Sequence, residues 1–273
     1  MSSFLDVKGE IKPNPTPSTP SNVMDMFSMK GKVVAISGAG AGIGFAVAEA
    51  MAEAGAHVAI WYNSNKAAVQ KAEELAKKNG VKAKAYQCGV TDYEAVHATV
   101  AQVVKDFGHL DCFVANSGVA FAGGILEQPV EEWHKVMDVN LHGVFYCAKA
   151  CGEVFKQQGK GNLIITASMS GQIVNVPTDQ GCYNTSKAAV IHLARSLARE
   201  WRDFARVNTV SPGYIETDLG AAPKVRNEAF RMAVQGRQGD VKELKGAYLY
   251  LASDASTYCT GHDLVVDGGY TLP

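Results

Sequence analysis

The chain has 273 residues, with 26 Lys+Arg against 27 Asp+Glu and a formal charge of −1. So even a balance, without a long basic run, excludes a protein that tracks nucleic-acid phosphates or a polybasic membrane patch. Apolar residues make up 47% and charged residues 19%. That is too apolar for a disordered chain, yet no apolar stretch approaches the roughly 20 residues of a membrane helix, so neither nucleic acid nor membrane is an expected partner.

Residues 1–29 read as an arm. Pro13, Pro15, Pro17 and Pro20 stand among Ser, Thr and Asn, a composition that favours extended chain over helix or sheet. The arm has neither the apolar run of a secretory signal nor the Arg content of a transit peptide, and it carries Asp6, Glu10 and Asp25, so the expected location is cytoplasmic. Phe27 and Met29 are candidates for folding back onto the body or for a subunit contact; a solvated leader is the alternative.

From Lys32 onward, short Val/Ile/Ala-rich runs alternate with amphipathic stretches. Strands are expected at Val33–Ser37, His57–Trp61, Lys82–Gln87, Cys112–Ala115, Asn162–Ala167, Ala205–Val210 and Asp263–Val266. Helices are expected from about Ile43, through Lys77, and from Asp92, Val130, Cys182 and Asp240. Seven near-continuous apolar strands separated by helices predict an α/β fold, one doubly wound Rossmann-type parallel sheet with helices on both faces, over residues 30–273. The cysteines at 88, 112, 147, 151, 182 and 259 form no Cys-x-x-Cys pair, so neither a disulfide framework nor a metal site is expected; Cys147 and Cys151 share a helical face as small core residues.

In such a sheet ligands bind beyond the carboxyl ends of the strands, where strand order reverses. Four positions there carry chemistry. Ser37-Gly38-Ala39-Gly40-Ala41-Gly42-Ile43-Gly44 follows the first strand and opens a helix, a context in which glycines let backbone amides approach a pyrophosphate. The spacing of Gly38, Gly42 and Gly44 matches neither Gly-x-Gly-x-x-Gly nor an NTPase phosphate loop, and the glycines alone also fit a plain tight turn. After the second strand, Tyr62-Asn63-Ser64-Asn65-Lys66 lacks the carboxylate that would receive the ribose hydroxyls of NAD; Asn63, Ser64 and Asn65 can donate to a 2′-phosphate and Lys66 can add charge, which favours NADP(H). A polar loop leading into the next helix would look the same. No Arg stands nearby, and Ala41 sits where a basic residue would strengthen the case.

Tyr183 and Lys187 are spaced to share a helical face, where an ammonium can lower a phenol's pKa toward that of a general acid/base. The same spacing recurs at Tyr62 and Lys66, so position decides between the pairs: Tyr183 opens a helix soon after a strand ending at Ser168, whose hydroxyl can polarise the same carbonyl. Asn116-Ser117-Gly118 follows the fourth strand, with Asn140 in the next helix, where each amide also fits an ordinary structural role.

Taken together in chain order, Gly38/Gly42/Gly44, Asn116-Ser117-Gly118, Asn140, Ser168, Tyr183/Lys187, Ser211-Pro212-Gly213 and Asp267-Gly268-Gly269 resemble the short-chain dehydrogenase/reductase family over about Lys30 to Pro273. The resemblance implies a tetrad. Tyr183 would protonate the carbonyl oxygen, Ser168 hold it, Lys187 bind the nicotinamide ribose and depress the Tyr183 pKa, and Asn140 position a relay water. Ser170 stands at the usual spacing from the tyrosine, but the Ser-x-x-Gly pattern selects Ser168 and leaves Ser170 as a substrate contact.

The resemblance also assigns Gly38, Gly42, Ile43, Gly44, Tyr62, Asn63, Ser64, Val90, Asn116, Gly118, Pro212, Gly213, Ile215 and Thr217 to the cofactor, with a substrate lid over about 217–235. Gly89 replaces the family's usual adenine-contacting Asp, which shifts that pocket onto backbone and Val90. Family habit implies a homotetramer. Within the family, the arm and the second strand resemble fungal NADP(H)-dependent mannitol 2-dehydrogenases, sorbose reductases and yeast carbonyl reductases. Ketose/polyol interconversion is the activity this implies, with Asn175 and Gln180 offering polar contacts to the substrate. The alternatives are a broad carbonyl reductase of aryl ketones and a non-catalytic NADP-binding regulator. Two Glu-x-x-His matches do not make a di-metal site without a helical bundle, and a serine hydrolase would need a Gly-x-Ser-x-Gly elbow.

Overall fold

Strands apolar on both faces need a helical layer on each side, and this chain supplies both by alternating the two elements. The computed structural model describes residues 15–217 and 223–272, apart from the side chain of residue 224. The expectations for residues 1–14 and for 218–222 of the lid lie outside the described residues.

Residues 15–21 have no regular structure. They lead into one helical turn, α1 (Val23–Met26), where the Asn22 side chain accepts from the Met24 amide. Met29 then folds back: its side chain is 1% exposed and its amide donates to the Ala54 carbonyl at 2.9 Å. The body continues as β1 (Val33–Ile36), α2 (Gly42–Glu53), β2 (His57–Tyr62), α3 (Ala67–Asn79), β3 (Ala83–Gln87), α4 (Tyr93–Phe107), β4 (Cys112–Ala115), α5 (Val130–Met137), α6 (Gly143–Gln158), β5 (Asn162–Thr166), α7 (Gly181–Glu200) and β6 (Arg206–Pro212). It ends with β7 (Ile215–Glu216), α8 (Pro223–Met232), β8 (Gly239–Asp240), α9 (Lys245–Ala252) and β9 (Asp263–Val266).

Seven strands form one parallel sheet in the order β3-β2-β1-β4-β5-β6-β9. Ile36 lies opposite Ile60 on one side and Val114 on the other. Alternate residues of each strand feed opposite faces. Val33, Ala35, Ala59, Trp61, Phe113, Leu163, Ile165 and Val207 pack against α4, α6 and α7, whereas Val34, Ile36, Val58, Ile60, Val114, Ile164 and Val210 pack against α2, α3 and α9. The doubly wound sheet is as expected. All six cysteines are free, and Cys147 and Cys151 are buried in the first of these cores, where burial pushes both thiols up.

Three local features differ from the sequence reading. The helix from Val130 does not run on regularly: Asp138–His142 forms a π turn between α5 and α6, with Asn140 at its centre. The helix expected from Asp240 begins only at Lys245. The Asp240 carboxylate accepts from the Lys242 amide and the Glu243 carboxylate from the Asp240 amide, a reciprocal cap that opens a 3-10 turn instead. A two-stranded ribbon of β7 and β8 was not expected; Gly239 sits against the Ile215 side chain there.

Candidate active site

β1 is flanked by β2 on one side and β4 on the other, so successive crossovers run in opposite directions from it and open a crevice at its carboxyl end. The glycine loop fills that crevice. Gly38 and Gly42 have φ of +64° and +54°, a backbone that only glycine adopts without strain. A Cβ on Gly44 would lie 2.5 Å from both Asn116 Nδ2 and the Gly38 carbonyl oxygen, and one on Gly38 would lie 3.0 Å from Ser117 Cα. Asn116 Nδ2 donates to the Ser37 and Gly38 carbonyls, and the Ser37 hydroxyl accepts from the Asn116 and Ser117 amides, which closes the loop onto the exit of β4. No side chain caps α2, so its first-turn amides are left for an anion. Among the described residues this loop fits a dinucleotide pyrophosphate.

The other predicted cofactor residues surround it. Thr217 Cγ2 would stand 3.8 Å from a Cβ on Gly42, which puts Thr217 across the cleft, just beyond Ile215 in β7. Pro212 ends β6, and Gly213 packs so tightly on Asp267 that a Cβ would lie 2.6 Å from the Asp267 Cα. Ile43 is half-buried at the start of α2, against the core on that face. At the end of β2, Tyr62 is half-buried and Asn63 and Ser64 are exposed, with Asn63 Oδ1 facing Gly89. Val90 is buried, and its side chain meets Gly143 at the start of α6. A Cβ on Gly118 would lie 3.5 Å from both Asn140 Oδ1 and Lys187 Nζ, so this glycine borders two of the predicted catalytic residues.

The four predicted catalytic residues converge at the start of α7. Lys187 is 3% exposed; its Nζ donates to the Thr166 carbonyl at 2.8 Å and lies 5.6 Å from the centre of the Tyr183 ring. Burial lowers its pKa to about 8. Tyr183 is half-buried, and burial raises its pKa while its hydrogen bond with Ser168 opposes part of the rise. In the chain alone desolvation is the larger influence on the phenol, and the Lys187 ammonium is turned toward the Thr166 carbonyl. Ser168 rather than Ser170 adjoins the phenol, and its Oγ donates to Ser170 Oγ at 3.1 Å. Asn140 is fully buried in the π turn. Its Oδ1 accepts from the Val119 amide at 2.8 Å, and its Nδ2 donates to the Val119 carbonyl at 2.9 Å and to Ser186 Oγ at 3.0 Å. Beneath them, Thr166 Oγ1 bonds both Asn116 Oδ1 at 3.1 Å and the Tyr248 hydroxyl at 2.7 Å.

Beside Ser168 lies a polar cluster. Gln180 Nε2 donates to Ser170 Oγ, Asn175 Oδ1 and Asn184 Oδ1 at 3.3, 2.8 and 3.1 Å, so the three predicted substrate contacts Ser170, Asn175 and Gln180 are brought together. Tyr214, which the sequence reading missed, completes this wall: its ring packs edge-on against Tyr270 at 5.5 Å, and Asn175 and Tyr183 both influence its phenol, whose pKa burial and Tyr270 raise. The Ser211-Pro212-Gly213 motif that immediately precedes it was the available signal. Lys71 was missed as well; its Nζ donates to the Gly40 carbonyl of the glycine loop at 2.9 Å.

A family model described as "Enoyl-(Acyl carrier protein) reductase" matches residues 38–271. The chain is 55% identical over 265 residues to a probable NADP-dependent mannitol dehydrogenase of Yarrowia lipolytica, covering 96% of this chain and 95% of that one. It is 54% identical over 266 residues to a sorbose reductase of Candida albicans, covering 96% and 94%. A crystal structure of an NADPH-dependent 3-quinuclidinone reductase from Rhodotorula rubra superposes with a TM-score of 0.94 at 56% identity, over 97% of this chain and all (100%) of that one.

Proposed function

Because the chain belongs to the short-chain dehydrogenase/reductase family, we propose that it is an NADPH-dependent ketone reductase that interconverts ketoses and polyols, fructose with mannitol or sorbose with sorbitol. The observation that carries this reading is the Ser168–Tyr183 pair set beside the Gln180 cluster and across Gly118 from the glycine loop. The names of the mannitol dehydrogenase and sorbose reductase relatives support the substrate class, and the absence of a carboxylate in Tyr62-Asn63-Ser64-Asn65-Lys66 supports NADP(H) over NAD(H).

Bound NADPH supplies the hydride. Tyr183 gives its proton to the carbonyl oxygen as negative charge develops there, and Ser168 donates a hydrogen bond to the same oxygen. Lys187, anchored on the Thr166 carbonyl, would bind the nicotinamide ribose of the cofactor. Both amide atoms of Asn140 are engaged by Val119 and Ser186, so it serves a relay water through the backbone bend it fixes. Asn175, Gln180 and Ser170 offer donors and acceptors at a spacing suited to a polyhydroxy chain. Of the expected lid, the end of α8 and the residue after it, Met232 and Ala233, pack in one apolar cluster with Met169, next to Ser168. The same reading makes the protein a cytoplasmic homotetramer with residues 30–273 as one catalytic unit, testable by sizing and cell fractionation. Among the described residues no helix is long and apolar enough to cross a membrane.

The test is the initial rate of NADPH and NADH oxidation with D-fructose, L-sorbose and an aryl ketone. A dominant kcat/KM for NADPH with a ketose is expected. Turnover of the aryl ketone alone would replace this reading with the general carbonyl reductase that the 3-quinuclidinone reductase likeness favours. A preference for NADH would overturn the account of the second strand.

A further inference from the structure

The cofactor reading leaves one gap: the 2′-phosphate of NADP carries charge, and neither the glycine loop nor the end of β2 provides an arginine. The fold brings a cation there from the second turn of α3. Lys71 Nζ donates to the Gly40 carbonyl at 2.9 Å and lies 4.6 Å from the centre of the Phe45 ring in the first turn of α2. Asn65 Nδ2 donates to the same carbonyl at 3.2 Å. A Cβ on Gly40 would point at Asn65 Cβ (3.4 Å) and Tyr62 Cβ (3.6 Å), so this stretch of the loop faces the end of β2, where the adenosine ribose of a dinucleotide lies.

Two further facts separate Lys71 from an ordinary surface lysine. Among the described residues it forms no ion pair with a carboxylate, so its charge is uncompensated. An ammonium has three donors, and here one is taken by Gly40 while the ring and the carbonyl hold the group in place. Lys66 is exposed and has no hydrogen bond to the loop. Lys71 is thus the one cation that a hydrogen bond ties to the glycine loop among the described residues.

We infer that Lys71 determines cofactor specificity by pairing with the 2′-phosphate of NADP(H), beside the donors of Asn63 and Ser64. The inference rests on the NADP(H) reading above. Fixed between carbonyl and ring, the ammonium meets the phosphate without first being ordered, and the charge-assisted bond discriminates against a bare 2′-hydroxyl.

The experiment is calorimetric titration of the wild type, Lys71→Gln and Lys71→Arg with adenosine 2′,5′-bisphosphate and with 5′-AMP, accompanied by KM for NADPH and NADH. Lys71→Gln is expected to weaken the bisphosphate about ten-fold and to leave 5′-AMP unchanged, while raising KM for NADPH relative to that for NADH. Lys71→Arg should retain most of the bisphosphate preference, and added salt should erode that preference more in the wild type than in Lys71→Gln. Equal weakening of both nucleotides by Lys71→Gln would overturn the inference, since Lys71 would then only shape the loop. So would an unchanged preference. A wild type without preference for the bisphosphate would instead overturn the NADP(H) reading on which it rests.

Discussion

Replacing Lys187 by Met should change how stability depends on pH in a way that isolates one buried charge. Lys187 is 3% exposed, its partner is a neutral carbonyl, and burial alone lowers its pKa from 10.5 to about 8. Between those values the unfolded chain holds the lysine proton and the folded chain has released it. Stability traceable to this residue is therefore lowest below pH 8 and rises as pH climbs toward 10.5. The gap between 10.5 and about 8 corresponds to about 3 kcal/mol.

The assay is urea unfolding of the wild type and Lys187→Met near pH 7 and near pH 10.5. The lost bond to Thr166 shifts the variant by a constant that is the same at both values. The buried thiols of Cys112 and Cys147, pushed up by desolvation, make stability fall with pH, but equally in both proteins. What remains is a wild-type gain of about 3 kcal/mol relative to the variant on going to the higher pH. Parallel curves would refute the argument that this ammonium is held in a desolvated site.

Tyr183→Phe should lower kcat by roughly 100- to 10,000-fold while calorimetry shows NADPH still bound; unchanged turnover would remove Tyr183 as the proton donor. Gly44→Ala places a Cβ 2.5 Å from Asn116 Nδ2 and from the Gly38 carbonyl, so it should cost about 1–3 kcal/mol and weaken NADPH binding, read by thermal unfolding and titration. Asn140→Leu strands the Val119 amide and carbonyl and should cost about 2–4 kcal/mol; an unaltered melting temperature would show that the π turn does not depend on that amide.

The parts legible in the sequence are those set by local chemistry. β-branched runs and glycines placed the strands and the glycine loop, because both signals act within a few residues. The two Tyr/Lys pairs of equal spacing differ in the structure: Tyr62 ends β2 and Lys66 precedes α3, so that pair shares no helical face, whereas Tyr183 and Lys187 both lie inside α7. What was not legible depends on distant partners. The reach of Lys71 to Gly40, the packing of Tyr214 on Tyr270 and the π turn stabilised by Val119 and Ser186 need the tertiary fold. How much water the fold excludes from Tyr183, which raises its phenol pKa in the chain alone, is likewise set by tertiary packing and not by spacing.

Thr166 has a single hydrogen to give, and Asn116 Oδ1, which can only accept, takes it. The bond between Thr166 and Tyr248 must therefore run from the phenol, and the sequence of donors is one-way: Tyr248 to Thr166 to Asn116, whose amide nitrogen ends on the Gly38 carbonyl. This polarised wire starts on the sheet face packed by α9, while Tyr183 and Lys187 approach from the face packed by α7. The glycine loop is thus tied, through Asn116 and Thr166, to a tyrosine of α9 that packs behind the sheet.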